Sequence, residues 1–106
     1  MVSFTNQANG NHKTNILRGA IMLNKELLSD LGYEDAIIFD NPSYDSAIIG
    51  VSTDGQVIYD YDKMIVCLMD EDEITYDEAT DFIDYNTIRA LPYAGEGAPI
   101  VMYGLN

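Results

Sequence analysis

The chain has 106 residues, 18 acidic and five basic side chains, and a formal charge of −13 at neutral pH. That length holds one hydrophobic core, and at 47% hydrophobic residues with twelve Ile and eight Tyr it is no disordered acidic tail. The imbalance argues against direct DNA or RNA binding, because phosphate contacts supply most of that affinity.

Charge is unevenly spread. Residues 1–25 carry Lys13, Arg18 and Lys25 with no acid, whereas residues 26–106 carry all 18 acids against Lys63 and Arg89. The first fifteen residues are polar, Asn-rich and aperiodic. Together with the composition shift near residue 22, they lead us to expect a flexible arm or upstream extension over 1–21 and a single α+β domain over 22–106. The lone His12 falls in that arm and is expected to be solvated.

Met22–Leu31 predicts a short amphipathic helix, with Leu23, Leu27, Leu28 and Leu31 on one side and Gly32 as its stop. Asp35–Asp40 predicts a buried strand ended by Asn41-Pro42. Ser46–Ser52 and Gln56–Tyr61 flank Thr53-Asp54-Gly55, and apolar runs either side of Asp-Gly predict a hairpin. Val57, Tyr59 and Tyr61 should then share one face.

Asp62 is placed to cap a helix running through Met69. Thr75-Tyr76-Asp77-Glu78 fits a capping box, in which the Thr hydroxyl and the Glu carboxylate satisfy open amides reciprocally. The helix that follows is expected to reach Leu91, where Pro92 stops it, with Tyr76, Ala79, Phe82, Ile83 and Ala90 inward. Tyr93–Ala98 reads as a loop and Pro99–Tyr103 as a last strand. The expected fold is α+β: a small antiparallel sheet of three to four strands with two to three helices on one face.

The densest feature is Asp70–Asp84, where Asp70, Glu71, Asp72, Glu73, Asp77, Glu78, Asp81 and Asp84 occur with no Lys or Arg among them. An EF-hand loop starting at Asp70 would need an oxygen ligand at position five and Gly at six. Ile74 and Thr75 stand there instead, so no metal is expected. With 18 acids, chance carboxylate pairs are unavoidable and point to no hydrolase. Cys67 falls on a buried helical face as an inert core thiol, no Gly-rich phosphate loop occurs, and no cofactor or enzymatic activity is expected. A single cysteine, and a longest apolar run too short to span a bilayer, suggest a cytoplasmic, non-membrane protein.

As one helix, Asp70–Asp84 would span about 22 Å at ~1.5 Å per residue. B-DNA presents one charge per ~1.7 Å, so one strand carries about half of roughly 13 charges over that length. Eight carboxylates approach a single strand, and the expected partner is a basic nucleic-acid-binding protein. Salt adaptation would have spread the acids throughout, and a merely solvated face would need fewer. Tyr44, Tyr85 and Tyr93 are expected as exposed contact residues beside the acids, since Tyr offers apolar area with a polar tip. Arg89 and Lys63 are expected to pair with neighbouring acids, and a homodimer is left open.

Three segments carry a resemblance: Asn41-Pro42-Ser43-Tyr44-Asp45, Val57 to Ile65 (VIYDYDKMI) and Phe82 to Pro92 (FIDYNTIRALP). Through them Tyr33–Tyr103 resembles small acidic proteins of phages and mobile elements of Gram-positive bacteria. The resemblance implies a context, inhibition of host defence, best known in anti-CRISPR proteins that occupy the nucleic-acid surface of an effector nuclease. It implies no catalytic residue. The alternative is an acidic interaction or regulatory module without mimicry.

Overall fold

Short apolar, β-branched runs separated by turn residues build two small sheets. A computed structural model describes residues 2–6 and 24–105. Strand β1 (Ser3–Asn6) pairs antiparallel with β2 (Ile37–Asn41), Phe4 lying opposite Phe39. The expected arm is therefore corrected at its start: Ser3–Asn6 belongs to the fold, and residues 7–21 of the arm, including His12, lie outside the described residues. Alternation was hidden there because only Phe4 of the four residues is apolar.

Helix α1 spans Asn24–Asp30 and ends one residue before the expected Leu31; Met22 and Leu23 of the expected helix lie outside the described residues. Its stop is as expected: Gly32 has φ 98°, and the amides of Gly32 and Tyr33 donate to the Ser29 and Leu28 carbonyls. Among the described residues of its leucine stripe Leu28 is buried, while Leu27 and Leu31 face water. The α1 N-terminus is held from outside the helix, where both Asp45 carboxylate oxygens accept the Asn24 and Lys25 amides at 2.9 Å.

The second sheet has the order β3-β4-β5, with β3 at Ile48–Val51, β4 at Val57–Asp60 and β5 at Ile100–Met102. The β3–β4 hairpin is the one expected around Asp54-Gly55; Gly55 has φ 86°, and the Ser52 hydroxyl accepts the Asp54 and Gln56 amides. The last strand departs from the expected antiparallel sheet. It runs parallel to β4, Ile58 opposite Ile100. A parallel neighbour needs a crossover, and the helices between Tyr61 and Ala94 supply it.

That crossover begins with α2 (Tyr61–Asp72), capped by Asp60 rather than Asp62: the Asp60 carboxylate accepts the Lys63 amide at 3.0 Å. The strand thus passes straight into the helix, and Asp62 sits in the first turn. Helix α3 (Tyr76–Phe82) opens with the expected capping box, Thr75 Oγ1 accepting the Glu78 amide and Glu78 Oε1 the Thr75 amide. A π-helical turn (Ile83–Thr87), the short helix α4 (Ile88–Ala90) and a 3-10 turn (Leu91–Ala94) follow. Pro92 does not end helical structure at Leu91 but lies inside that 3-10 turn, whose first positions need no proline N–H.

The core centres on Phe39, whose ring meets Tyr59 at 4.8 Å and Tyr44 at 5.4 Å edge-on, and Phe4 at 5.1 Å. Val57, Met64, Ile65, Leu68, Ala79 and Ile83 close around these rings. The Phe39 amide donates to the Tyr59 hydroxyl at 3.0 Å, joining β2 of one sheet to β4 of the other. Cys67 is buried as expected, 2.9 Å from the Ser46 hydroxyl. Among the described residues no helix is long and apolar enough to cross a membrane.

Candidate functional site: an acidic helical corner

All eight carboxylates of the acidic run are exposed. They do not form one rod. Asp70, Glu71 and Asp72 end α2, Glu73 turns the chain with φ 55°, and Asp77, Glu78 and Asp81 ride on α3. Asp84 stands on the π turn. The 22 Å linear strip expected from a continuous helix is corrected to two short rows meeting at residues 73–75. Ile74 breaks the run because its side chain packs against the core, which folds α3 back along α2.

Stability accounts for only part of this arrangement. Asp77 and Glu78 lie in the first turn of α3, where the helix dipole favours negative charge, and Glu78 also completes the box. Asp70, Glu71 and Asp72 lie at the opposite pole, the C-terminal end of α2, with no basic residue in that turn. Carboxylates there are disfavoured by the dipole and by one another. Glu73 occupies a left-handed cap where Gly is the least strained residue. Four adjacent carboxylates thus sit where folding would place something else.

The three tyrosines expected as contacts divide. Tyr93 and Tyr85 are exposed, at 89% and 60%. Tyr44 is corrected: it is fully buried, with its hydroxyl 2.6 Å from that of Thr87. Next to Asn41-Pro42 a polar, turn-rich context suggested the surface, yet the turn directs the ring into the Phe39 cluster. Burial, partly offset by the Thr87 hydrogen bond, pushes the Tyr44 phenol up to about 12. Arg89 does not take up the expected acid but lies over the Tyr85 ring, 5.0 Å from its centroid.

Asp84 is held by a further tyrosine, which carries a second against its ring. The Tyr61 hydroxyl donates to Asp84 Oδ1 at 2.8 Å, and the Tyr61 ring lies 4.9 Å from that of Tyr103 at 51°. Tyr76 was expected to point inward but is 56% exposed, because the capping box sets it at the first helical position, ahead of the buried stripe. Burial, then the Asp84 hydrogen bond and charge, with Tyr103 and Tyr76 contributing, hold the Tyr61 phenol well above its ordinary value. The Tyr61–Tyr103 pairing follows from the parallel register that sets Asp60 beside Met102, so it was visible only once that register was known.

Two of the open grooves among the described residues lie elsewhere. One of about 460 Å³ runs between α1 and β3, lined by Leu27, Leu31, Tyr33 and Ile49 among others. The other, about 660 Å³, is lined by Val2, Phe4, Asn86, Arg89, Ala90 and Tyr93. Among the described residues no group of three His, Cys, Asp or Glu side chains is arranged to hold a metal ion. No protein-family model, curated protein or solved structure matches the chain.

Proposed function

We propose that this protein is a non-enzymatic inhibitor of the anti-CRISPR kind, acting in the cytoplasm of a bacterial host. Its acidic corner occupies the nucleic-acid groove of a basic protein, a CRISPR effector nuclease being the partner class. The observation that carries the reading is the exposed set Asp70–Glu73, kept against the helix dipole and a strained cap with no basic residue in that last turn of the helix. A face shaped only for solubility would place its carboxylates where the helices favour them. A Lys/Arg groove built for phosphates meets here a rigid array of carboxylates, with association steered by charge and weakened by salt. The bend suits a strand that turns within its groove better than a straight duplex.

A second reading is an interaction module without mimicry. It is favoured by the exposed Leu27, Leu31 and Ile49 around the α1–β3 groove. Pull-down from a CRISPR-bearing host lysate at low and high salt, repeated with single-stranded DNA as competitor, separates the two. Capture of an effector nuclease that is lost with salt and with competitor DNA supports mimicry. Capture that resists both but fails in Leu31→Ser supports the second reading.

A further inference from the structure

We infer that Asp84 and the tyrosines around it form a receptor for the guanidinium of a partner arginine, an element that selects Arg over Lys within the acidic face. The inference rests on the basic-partner reading above and sharpens it. Three observations converge on this position. The Asp84 carboxylate is aimed by the Tyr61 hydroxyl on one oxygen, Oδ1, which leaves Oδ2 to accept from a ligand. The ring of Tyr61, whose hydroxyl holds Asp84, meets the Tyr103 ring at 51°, and Tyr103 is 70% exposed, so an exposed aromatic surface stands one ring away from the carboxylate. Arg89 already takes the corresponding pose on the adjacent residue, its guanidinium over Tyr85.

The backbone supports the same position. Ile83 and Thr87 are buried, and between them Asp84, Tyr85 and Asn86 are all exposed. The Ile88 amide reaches back to the Ile83 carbonyl, a π-type bond that widens the turn and turns three successive side chains outward. The raised Tyr61 phenol remains a donor throughout the neutral range, so the carboxylate stays oriented.

A guanidinium is planar, weakly hydrated and able to donate to a carboxylate while covering a ring; an ammonium is a compact, strongly hydrated point charge. The other acids attract both chiefly through charge, whereas the rings beside Asp84 add a stacking surface that a guanidinium uses better than an ammonium.

The test compares fluorescently labelled oligo-arginine and oligo-lysine peptides of equal length, by anisotropy at low salt. Wild-type protein should bind oligo-arginine about fivefold more tightly, the contribution of one or two exposed cation–π contacts. Tyr103→Ala should lower that ratio by about twofold or more with oligo-lysine affinity held within about twofold, and Tyr103→Phe should restore it. Asp84→Ala, at the carboxylate itself, should lower the ratio as well and stands in if Tyr103→Ala fails to fold. Equal binding of both peptides by wild type, or an undiminished ratio in the folded alanine variant, overturns the inference and leaves the basic-partner reading standing. Failure to bind either peptide overturns both.

Discussion

The hydroxyl oxygens of Tyr44 and Thr87 lie 2.6 Å apart in a site closed to water, joining the turn after β2 to the π turn that carries Asp84. Tyr44 holds a left-handed backbone (φ 49°), unusual for a bulky residue, and the edge-on contact with Phe39 helps keep it there. The acidic face is thus tied to the aromatic core through one polar contact.

Removing one partner of that contact should cost more than removing both. Tyr44→Phe leaves the Thr87 hydroxyl buried and unpaired and should destabilise the protein by about 1–3 kcal/mol. The double variant Tyr44→Phe/Thr87→Val should recover much of the loss. Urea unfolding of the four-member cycle measures this, and strictly additive losses would show the two hydroxyls to be uncoupled.

Stability should fall at alkaline pH. The Tyr44 phenol is about 10 when exposed in the unfolded chain and about 12 when folded, so between those values the unfolded chain releases a proton that the folded chain keeps. Its contribution is complete below about pH 10 and is lost as pH rises toward 12, at up to ~1.4 kcal/mol per pH unit. Tyr59, buried and raised further still, loses stability in the same direction. Urea midpoints from pH 9 to 11 should drop for wild type and drop less steeply for Tyr44→Phe.

The two halves of the acidic run should respond oppositely to neutralisation. Asp72→Asn removes a charge from the disfavoured end of α2 and should raise the thermal midpoint by a few degrees at low salt. Asp77→Asn removes one from the favoured start of α3 and should lower it similarly. High salt should shrink both effects. If both substitutions shift the midpoint in one direction, the argument that Asp70–Asp72 oppose the helix dipole fails.

What could be read from the sequence was what local chemistry decides. The Asp-Gly hairpin, the Thr75–Glu78 box, the Gly32 stop and the buried Cys67 each depend on a few neighbouring residues, and each is present. The acidic run was legible as exposed, because crowded carboxylates with no Lys or Arg among them are too costly to bury. What escaped depends on partners distant in the chain. The parallel register of β5 is set across the whole helical crossover, and it brings Tyr103 to Tyr61. Tyr44 is buried by contact with Phe39 and Thr87, neither predictable from its polar surroundings. Ile74 bends the acidic strip through packing that periodicity does not reveal.

The most direct test of the acidic corner is competition with nucleic acid on a panel of guide-loaded CRISPR effector nucleases. Labelled target DNA is titrated with wild-type protein and with the variant in which Asp72, Glu73, Asp77 and Asp81 are all changed to Lys, its fold verified by circular dichroism. Wild type should displace DNA from at least one effector, less well as salt rises, and the charge-reversed variant should be weaker by about 100-fold or more, as lost close charge pairs imply. Displacement by the reversed variant as effective as wild type at moderate salt, or no displacement from any effector, would contradict the account.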